Sequence, residues 1–298
     1  MVSFNRSESS DSEQPLLTIG MPIFNAGAYL RLAVLSILQQ SFKNWELLII
    51  DDGSDDDALQ TIEDLKDSRI RILIDGSNRG LAARLNECVE LACGKYFARM
   101  DQDDVSYPDR FLLQFLHLEQ NPNLDLLAVR AITIDEKNNI TGLFPAALTH
   151  AEICAKPWRG FYLPHPTWMG KIEWFRRNRY AVPGPYFCED QELLLRSYKT
   201  SVFATLDSIL FAYRVRNKVN WRKLSLTRRT VLTLQLKYLS EESLIFTFLA
   251  LITYAGRIFS DLGKRLGFSH YKGGRDVDHA NNEEWTAVLN RLSLNTTE

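Results

Sequence analysis

Several kinds of feature are scarce or missing in this chain, and each absence removes a class of protein. Cysteine is scarce: Cys88, Cys93, Cys154 and Cys188 are scattered, and the Cys88/Cys93 spacing matches no zinc-ligand template. That argues against a disulfide scaffold or a structural zinc site and leaves reduced thiols, as in a reducing cytoplasmic setting. Residues 1–14 are polar, Ser-rich and acidic, with no apolar core of a signal peptide, and are expected to be disordered. The longest apolar run, residues 244–255, has 12 residues. As a helix it would cover ~18 Å, against roughly 30 Å of hydrocarbon, which is too short to span a bilayer. No Gly-rich basic phosphate loop follows the first apolar run, no internal repeat is visible, and no nucleic-acid-binding motif occurs.

What remains is a globular composition, 45% hydrophobic and 24% charged over 298 residues, enough for one large α/β domain plus an appendage. A net charge of -2 hides a sharp change of sign. Residues 1–213 carry 21 Lys and Arg against 29 Asp and Glu, whereas residues 214–275 carry 13 against 3. The basic segment reads as a separate unit, either a solvated helix pair or a surface for an anionic membrane or lipid-linked molecule. Within it, Arg257, Asp261, Lys264 and Arg265 fall opposite Ile258, Leu262 and Leu266. That pattern suits an interfacial amphipathic helix or a core or dimer-packing helix.

Short apolar runs alternate with helical periods along the first half. Strands are expected at 16–21, 45–50, 70–74 and 95–100, with Pro22 ending the first, and helices at 25–40, 55–65 and 81–92. This alternation predicts βαβ units and a parallel sheet, whose ligands bind beyond the carboxyl ends of the strands. A helix at 110–119 and a strand at 124–134 follow, then loops and short strands over the Pro- and Trp-rich 141–187. A helix at 188–198, a strand at 208–215 and helices from 221 to about 266 complete the pattern, with no regular structure expected beyond Lys272.

The suggestive polar residues all fall at strand ends: Phe24 and Asn25, then Asp51 and Asp52, then Asp101, Asp103 and Asp104. The last group is the densest. Carboxylates so close repel one another unless a cation neutralises them. At the end of a buried strand they form a hard-oxygen site suited to Mg²⁺ or Mn²⁺ with a diphosphate completing the shell.

Taken in order, Thr18 to Asn25, Leu48 to Ser54, Asn78 to Asn86, Met100 to Asp104 and Glu189-Asp190 resemble the signature of family 2 inverting glycosyltransferases of the GT-A fold. The similarity covers roughly residues 15 to 215, and the basic C-terminal extension resembles that of bacterial members that build surface polysaccharides. The resemblance implies a Rossmann-like nucleotide-binding domain over 15–220, a mixed, mainly parallel sheet flanked by helices, followed by a basic, partly amphipathic helical region over 221–298. It also implies transfer of a sugar from a UDP- or dTDP-sugar to a hydroxyl of a glycan or lipid-linked acceptor. On that reading Pro22, Phe24 and Asn25 match the first nucleotide-contacting loop. Asp51 matches the acceptor of the base imide N–H, Asp52 supports that loop, and Arg84 lines the nucleotide and phosphate side. Asp101 and Asp103 match the metal-holding Asp-x-Asp pair, with Asp103 the more direct ligand, and Asp190 matches the catalytic base.

Chemistry agrees with these roles. A carboxylate beside a flat base selects uracil or thymine, whose imide N–H it can accept. A sugar hydroxyl is a weak nucleophile and needs a positioned base, and a cation stabilises the departing diphosphate. Glu189, His165, Trp168 and Arg214, with Arg216, are further candidates for acceptor or phosphate contacts; Trp168 and the Pro183-Gly184-Pro185 turn offer an aromatic platform. The rival readings are a non-catalytic nucleotide-sugar or glycan-binding module and a metal-dependent phosphohydrolase or nucleotidyltransferase. Nucleic acid is not an expected partner; peripheral contact with the inner face of the cell membrane, through the C-terminal helices, is.

Overall fold

The computed structural model describes residues 14–215, 220–266 and 277–294. Its centre is one mixed sheet. The parallel half runs β3 (Ile70–Ile74), β2 (Trp45–Asp51), β1 (Leu17–Ile23) and β4 (Tyr96–Arg99). It continues through β8 (Met169–Lys171), β6 (Leu126–Ile134), β9 (Phe203–Arg214) and β5 (Val105–Ser106), with β7 (Ile140–Leu143) paired to β6. β8 lies antiparallel between β4 and β6, and β6 pairs β9 in parallel.

β1 and β2 are buried along their whole length, which is why both read as unbroken apolar runs and not as an alternation. Leu17, Ile19 and Met21 pack with Leu47 and Ile49 against α1 (Tyr29–Leu38). Ile50 and Phe97 pack on the other face against α2 (Leu81–Leu91), α5 (Ile172–Arg177) and α6 (Glu189–Ser197). Gly20 is required by this second layer: a Cβ there would lie 2.5 Å from the ring of Phe97 and 3.0 Å from Cβ of Cys88.

β1 does not stop before Pro22, as expected, but carries it in register with Ile50. Gly20 turns its carbonyl to β4, accepting from Met100 N, and Ile23 turns its carbonyl to β2, accepting from Asp52 N. Alternation therefore aims Pro22's missing N–H to the β4 side, where pairing has already ended. Residues 55–65 form only a short 3₁₀ turn at 58–62. The side chain of Asp56 accepts from Gly27 N and Ala58 N, so this acidic run serves the loop and competes with helix formation. In the middle region, α3 (Arg110–Gln120) is followed after β7 by α4 (His150–Cys154), which a Thr149/Glu152 capping box starts.

Two C-terminal features differ from expectation. The tail forms α9 (His279–Leu294), whose Trp285, Leu289 and Leu292 are buried against Leu32, Leu35, Val105 and Ile132. Trp285 stacks edge-on against Tyr107 and donates to the Ile209 carbonyl at 3.1 Å. Before it, α7 (Trp221–Leu239) pairs with α8 (Leu244–Arg265). The 12-residue apolar run lies within α8, which has 22 residues and, against the expectation from the run alone, is long and apolar enough to cross a membrane by length and composition. It is not a core helix: only Ala250 is buried. Leu244, Ile245, Phe248, Leu251, Ile252, Phe259 and Leu262 are exposed on one side. Arg257 and Asp261 turn the other way, onto Arg159 and Arg228. The helix is thus inside-out, with its apolar face outward and its charges inward. Residues 1–13, Arg216 and residues 267–276 lie outside the described residues, so the expectations placed on them stand apart from this account.

Candidate active site

The ends of β1, β2 and β4 bring three loops together. Phe24, half exposed, is held by both backbone groups to Gln102, whose side chain accepts from Phe24 N at 2.6 Å and donates to Phe24 O at 2.9 Å. The middle residue of the Asp-x-Asp segment therefore ties the acidic loop to the first loop, a role that sequence reasoning had left blank. Asn25 takes a left-handed conformation, φ 49°, and accepts from Asp55 N, while its own N–H donates to Ser54 Oγ. Asp51 accepts from Ser54 N and Oγ, which fixes the carboxylate in an Asx-type turn at the strand end. Asp52 accepts from Arg79 N, Gly80 N and Arg84 Nε, so it anchors the start of α2. Gly80 sits there at φ 83°, a region that side chains disfavour.

The second half of the site is built around Arg99, a fully buried cation at the end of β4. Its NH2 lies 2.7 Å from Asp101 Oδ1 and its NH1 3.5 Å from Oδ2. Its Nε has no hydrogen-bond partner among the described residues. Glu189 and Asp190, in the first turn of α6, lie within charge range of the same guanidinium. Asp101 thus pairs directly with this buried cation, and Glu189 and Asp190, nearly ninety positions on, lie within its field but beyond ion-pair distance. Burial raises both acids above the ordinary range; Asp190 raises Glu189 further, whereas Gln191 Nε2, donating to Asp190 Oδ2 at 3.1 Å, opposes the rise in Asp190. His165 lies half-buried beside them, 2.8 Å from Tyr180 Oη and 3.6 Å from Glu189 Oε1. Burial and Arg99 hold its imidazole well below its usual pKa, in the neutral form.

Four candidates take other places than expected. Arg84 does not reach outward to a phosphate: it is 1% exposed, and Nε, NH1 and NH2 donate to Asp52, Asp75, Glu87 and the Ser77 carbonyl. It builds the loop from inside. Arg214 is likewise committed, donating to the carbonyls of Asp103 and Asp135 and to Asn138 Oδ1. Trp168 is fully buried, its Nε1 on the Leu163 carbonyl and its ring against His165, and offers no face to a sugar. Pro22 is buried within β1 and shapes the strand. The exposed aromatics near α6 are instead Tyr186 and Phe187, edge-to-face at 4.4 Å, with Phe187 at φ 48°. Arg99, Gln102, Tyr180 and this aromatic pair were missed by sequence reasoning. A buried arginine closing an apolar strand beside Asp101 was the available signal for Arg99.

The donor chemistry of the acidic loop fits a hard dication. Asp101 and Asp103 offer carboxylates from one turn, and Asp104, beneath them, has a buried Oδ2 with no hydrogen-bond partner among the described residues. Burial and the two neighbouring acids push Asp104 well above the usual carboxylate range. Among the described residues no group of three or more His, Cys, Asp or Glu side chains is arranged to hold an ion. Mg²⁺ or Mn²⁺ held by one or two carboxylates together with substrate phosphates needs no such group.

Solved structures share the fold. The S. aureus TarS 1–349 fragment in complex with UDP aligns at TM-score 0.60 and 16% identity, over 82% of this chain and 72% of that one. The mannosyltransferase PcManGT from Pyrobaculum calidifontis, in complex with GDP-Man and Mn²⁺, aligns at 0.61 and 13%, over 94% and 86%. Curated relatives include MJ1057 of Methanocaldococcus jannaschii, an uncharacterized glycosyltransferase that is 29% identical over 71% of this chain and 74% of its own length. Another is WfgD of Escherichia coli, a UDP-Glc:alpha-D-GlcNAc-diphosphoundecaprenol beta-1,3-glucosyltransferase, 31% identical over 44% of this chain and 51% of its own. The chain spans less than half the length of some other relatives, 45% in the case of EpsE from Bacillus subtilis. Residues 18–179 match the family model for glycosyl transferase family 2, more than half of the chain. With the strand-end loops, the buried Arg99 and the shared fold already in view, the chain belongs to glycosyl transferase family 2.

Proposed function

We propose that this protein transfers a sugar from a UDP- or dTDP-sugar to a hydroxyl of a glycan or lipid-linked acceptor, with inversion at the anomeric carbon. The observation that carries this reading is the gathering of Asp101, Glu189 and Asp190 around Arg99. Asp51 accepts the imide N–H of the base, on a turn that Asp52 and Arg84 hold rigid. Phe24 and Asn25 border the nucleotide. Asp103 and Asp101 would hold Mn²⁺ or Mg²⁺, which when bound stabilises charge on the departing diphosphate.

Asp190 takes the proton of the attacking hydroxyl. Its raised pKa makes it a better base than a solvated aspartate, and Gln191 fixes its orientation. Glu189, bridged to Tyr180 through His165, positions the first turn of α6. Tyr186 and Phe187 take over the platform role first assigned to Trp168, since an aromatic face suits the C–H face of a sugar. The lipid-linked acceptor is supported by the chemistry in WfgD's name. Contact with the inner face of a membrane is supported by the outward apolar side of α8. On this reading 15–220 is the catalytic domain, against which α9 packs, and within the C-terminal region 221–298 it is α7 and α8 that meet the acceptor's surroundings.

Asp190→Asn should lower transfer by at least about 10²-fold, the usual worth of a positioned base, and leave Mn²⁺-dependent UDP binding within about twofold. Normal turnover by this variant would overturn the base assignment. Asp103→Ala should weaken UDP binding by calorimetry only when Mn²⁺ is present; equal affinities with and without the ion would remove Asp103 from that role.

A further inference from the structure

Against the inward side of α8 lies a shallow notch of about 570 Å³, outside the site above. Lys156, Trp158 and Arg159 line one wall; Ile252, Thr253, Gly256, Arg257 and Ser260 line the other. Its cations are crowded. Arg257 NH2 donates to the Arg159 carbonyl at 2.6 Å, and Arg228 and Arg159 both stand within charge range of the Arg257 guanidinium. Arg228 itself is paired with Asp261 at 3.3 Å. Burial, with Arg228 and then Arg159, pulls Arg257 below its ordinary pKa, and a hydrogen bond with Tyr162 opposes this only in part. Gathering like charges at a half-buried position is costly unless an anion offsets it.

The notch has two neighbours. On one side is the exposed apolar face of α8, beginning at Ile252, which shares the notch. On the other, the strand of chain that carries Lys156 and Arg159 runs directly to the catalytic end. Phe161 N donates to Gln191 Oε1 at 2.9 Å, and Gln191 Nε2 donates to Asp190 Oδ2. Gly160, φ 84°, lets the chain pass so close that a Cβ would lie 2.8 Å from Gln191 Oε1. Its far end is fixed too, by Gln235 Nε2 on the Pro157 carbonyl and by Trp158 stacked on Phe246.

We propose that this notch binds the diphosphate of a lipid-linked acceptor, with Lys156, Arg159 and Arg257 meeting its charge and the outward face of α8 seating its hydrocarbon in the leaflet. Two adjacent phosphates match clustered cations, whereas a single phosphodiester headgroup needs one. An aromatic wall, Trp158, and a nearby aliphatic face suit the first isoprenoid carbons. Diphosphate bound here is tied through residues 159–161 to Gln191, which orients Asp190, so the lipid end of the acceptor and the base for its sugar hydroxyl are held by one short segment. The inference rests on the transferase reading and gives it an acceptor site.

The test uses farnesyl diphosphate, sodium diphosphate, and phosphatidylcholine vesicles with and without phosphatidylglycerol, titrated into the full chain in EDTA. Farnesyl diphosphate should bind, and saturating UDP with Mn²⁺, added afterwards in excess over EDTA, should not displace it. Lys156→Ala/Arg159→Ala, both exposed positions, should weaken it at least tenfold, and Arg257→Lys should weaken it less. UDP with Mn²⁺ should bind these variants within twofold of wild type. Unchanged farnesyl diphosphate affinity in the double variant would overturn the site, as would its displacement by UDP. Equal affinity for sodium diphosphate would identify a free-anion site and refute the lipid assignment. Loss of binding to phosphatidylglycerol vesicles alone would identify a general anionic-surface contact and also refute it. Mn²⁺-dependent UDP binding by the wild type reads the transferase proposal separately, so either can fail alone.

Discussion

The sheet and α8 treat charge and hydrocarbon in opposite ways. In the sheet, Leu47, Leu48, Ile49 and Ile50 are closed off from solvent, and the buried guanidinium groups of Arg84 on α2, Arg99 on β4 and Arg110 on α3 meet carboxylates, carbonyls or side-chain acceptors, with Arg99 Nε left without a partner among the described residues. In α8, Phe248 and Phe259 face outward while Arg257 and Asp261 face the protein. A buried apolar strand is stabilised by the fold itself. The outward apolar face of α8 is covered by nothing among the described residues, so its composition answers to something beyond them. The lesson is that one amphipathic pattern supports two opposite placements, and only the contacts of the polar side tell them apart.

That contrast can be broken by substitution. The largest effect should come from Arg84→Ala, which removes the partner of buried Asp52 and of Asp75. A loss of about 3–5 kcal/mol in urea unfolding is expected, the scale for breaking a buried ion pair; a loss below about 1 kcal/mol would mean the loop holds itself. Next is the pH dependence. Burial raises Asp190, so its protonated form persists to higher pH than for a solvated aspartate. The acid limb of kcat/KM should therefore fall off above the ordinary value of about 4, with activity lost as pH drops through it. An acid limb at or below 4 would place the base in water. The smallest effect on stability should come from Phe248→Ser/Phe259→Ser, within about 0.5 kcal/mol of wild type because neither side chain is buried. The same pair should nonetheless abolish flotation with phosphatidylglycerol-containing vesicles. A large stability loss with unchanged flotation would make α8 an ordinary packing helix.

Much of the site was legible in order along the chain. Carboxylates and Asn at strand ends announce themselves, because the apolar runs before them are unmistakable and ligands collect at that edge. What each long cation does was not legible. Arg84 and Arg214 have the charge a diphosphate wants, yet both are consumed by carbonyls and acids that sequence distance hides, Asp52 and Asp75 for one and Asp103 and Asp135 for the other. Trp168 failed as a platform for a similar reason: an aromatic ring serves a core as readily as a sugar, and here His165 and the Leu163 carbonyl claim it. α9 was invisible because its one strong anchor, Trp285, finds its partners on α1 and the sheet, far away in sequence.

By itself the sequence determined the alternation of strands and helices, the family, and the positions at which acids leave the sheet, since these follow from local periodicity and from residues adjacent in the chain. The tertiary structure alone decided that Glu189 and Asp190 come within the field of the Arg99–Asp101 pair, that Arg84 looks inward, and that α8 wears its hydrocarbon outside. Those outcomes turn on which distant groups satisfy a buried charge, and a charge's partner is set by closeness in space.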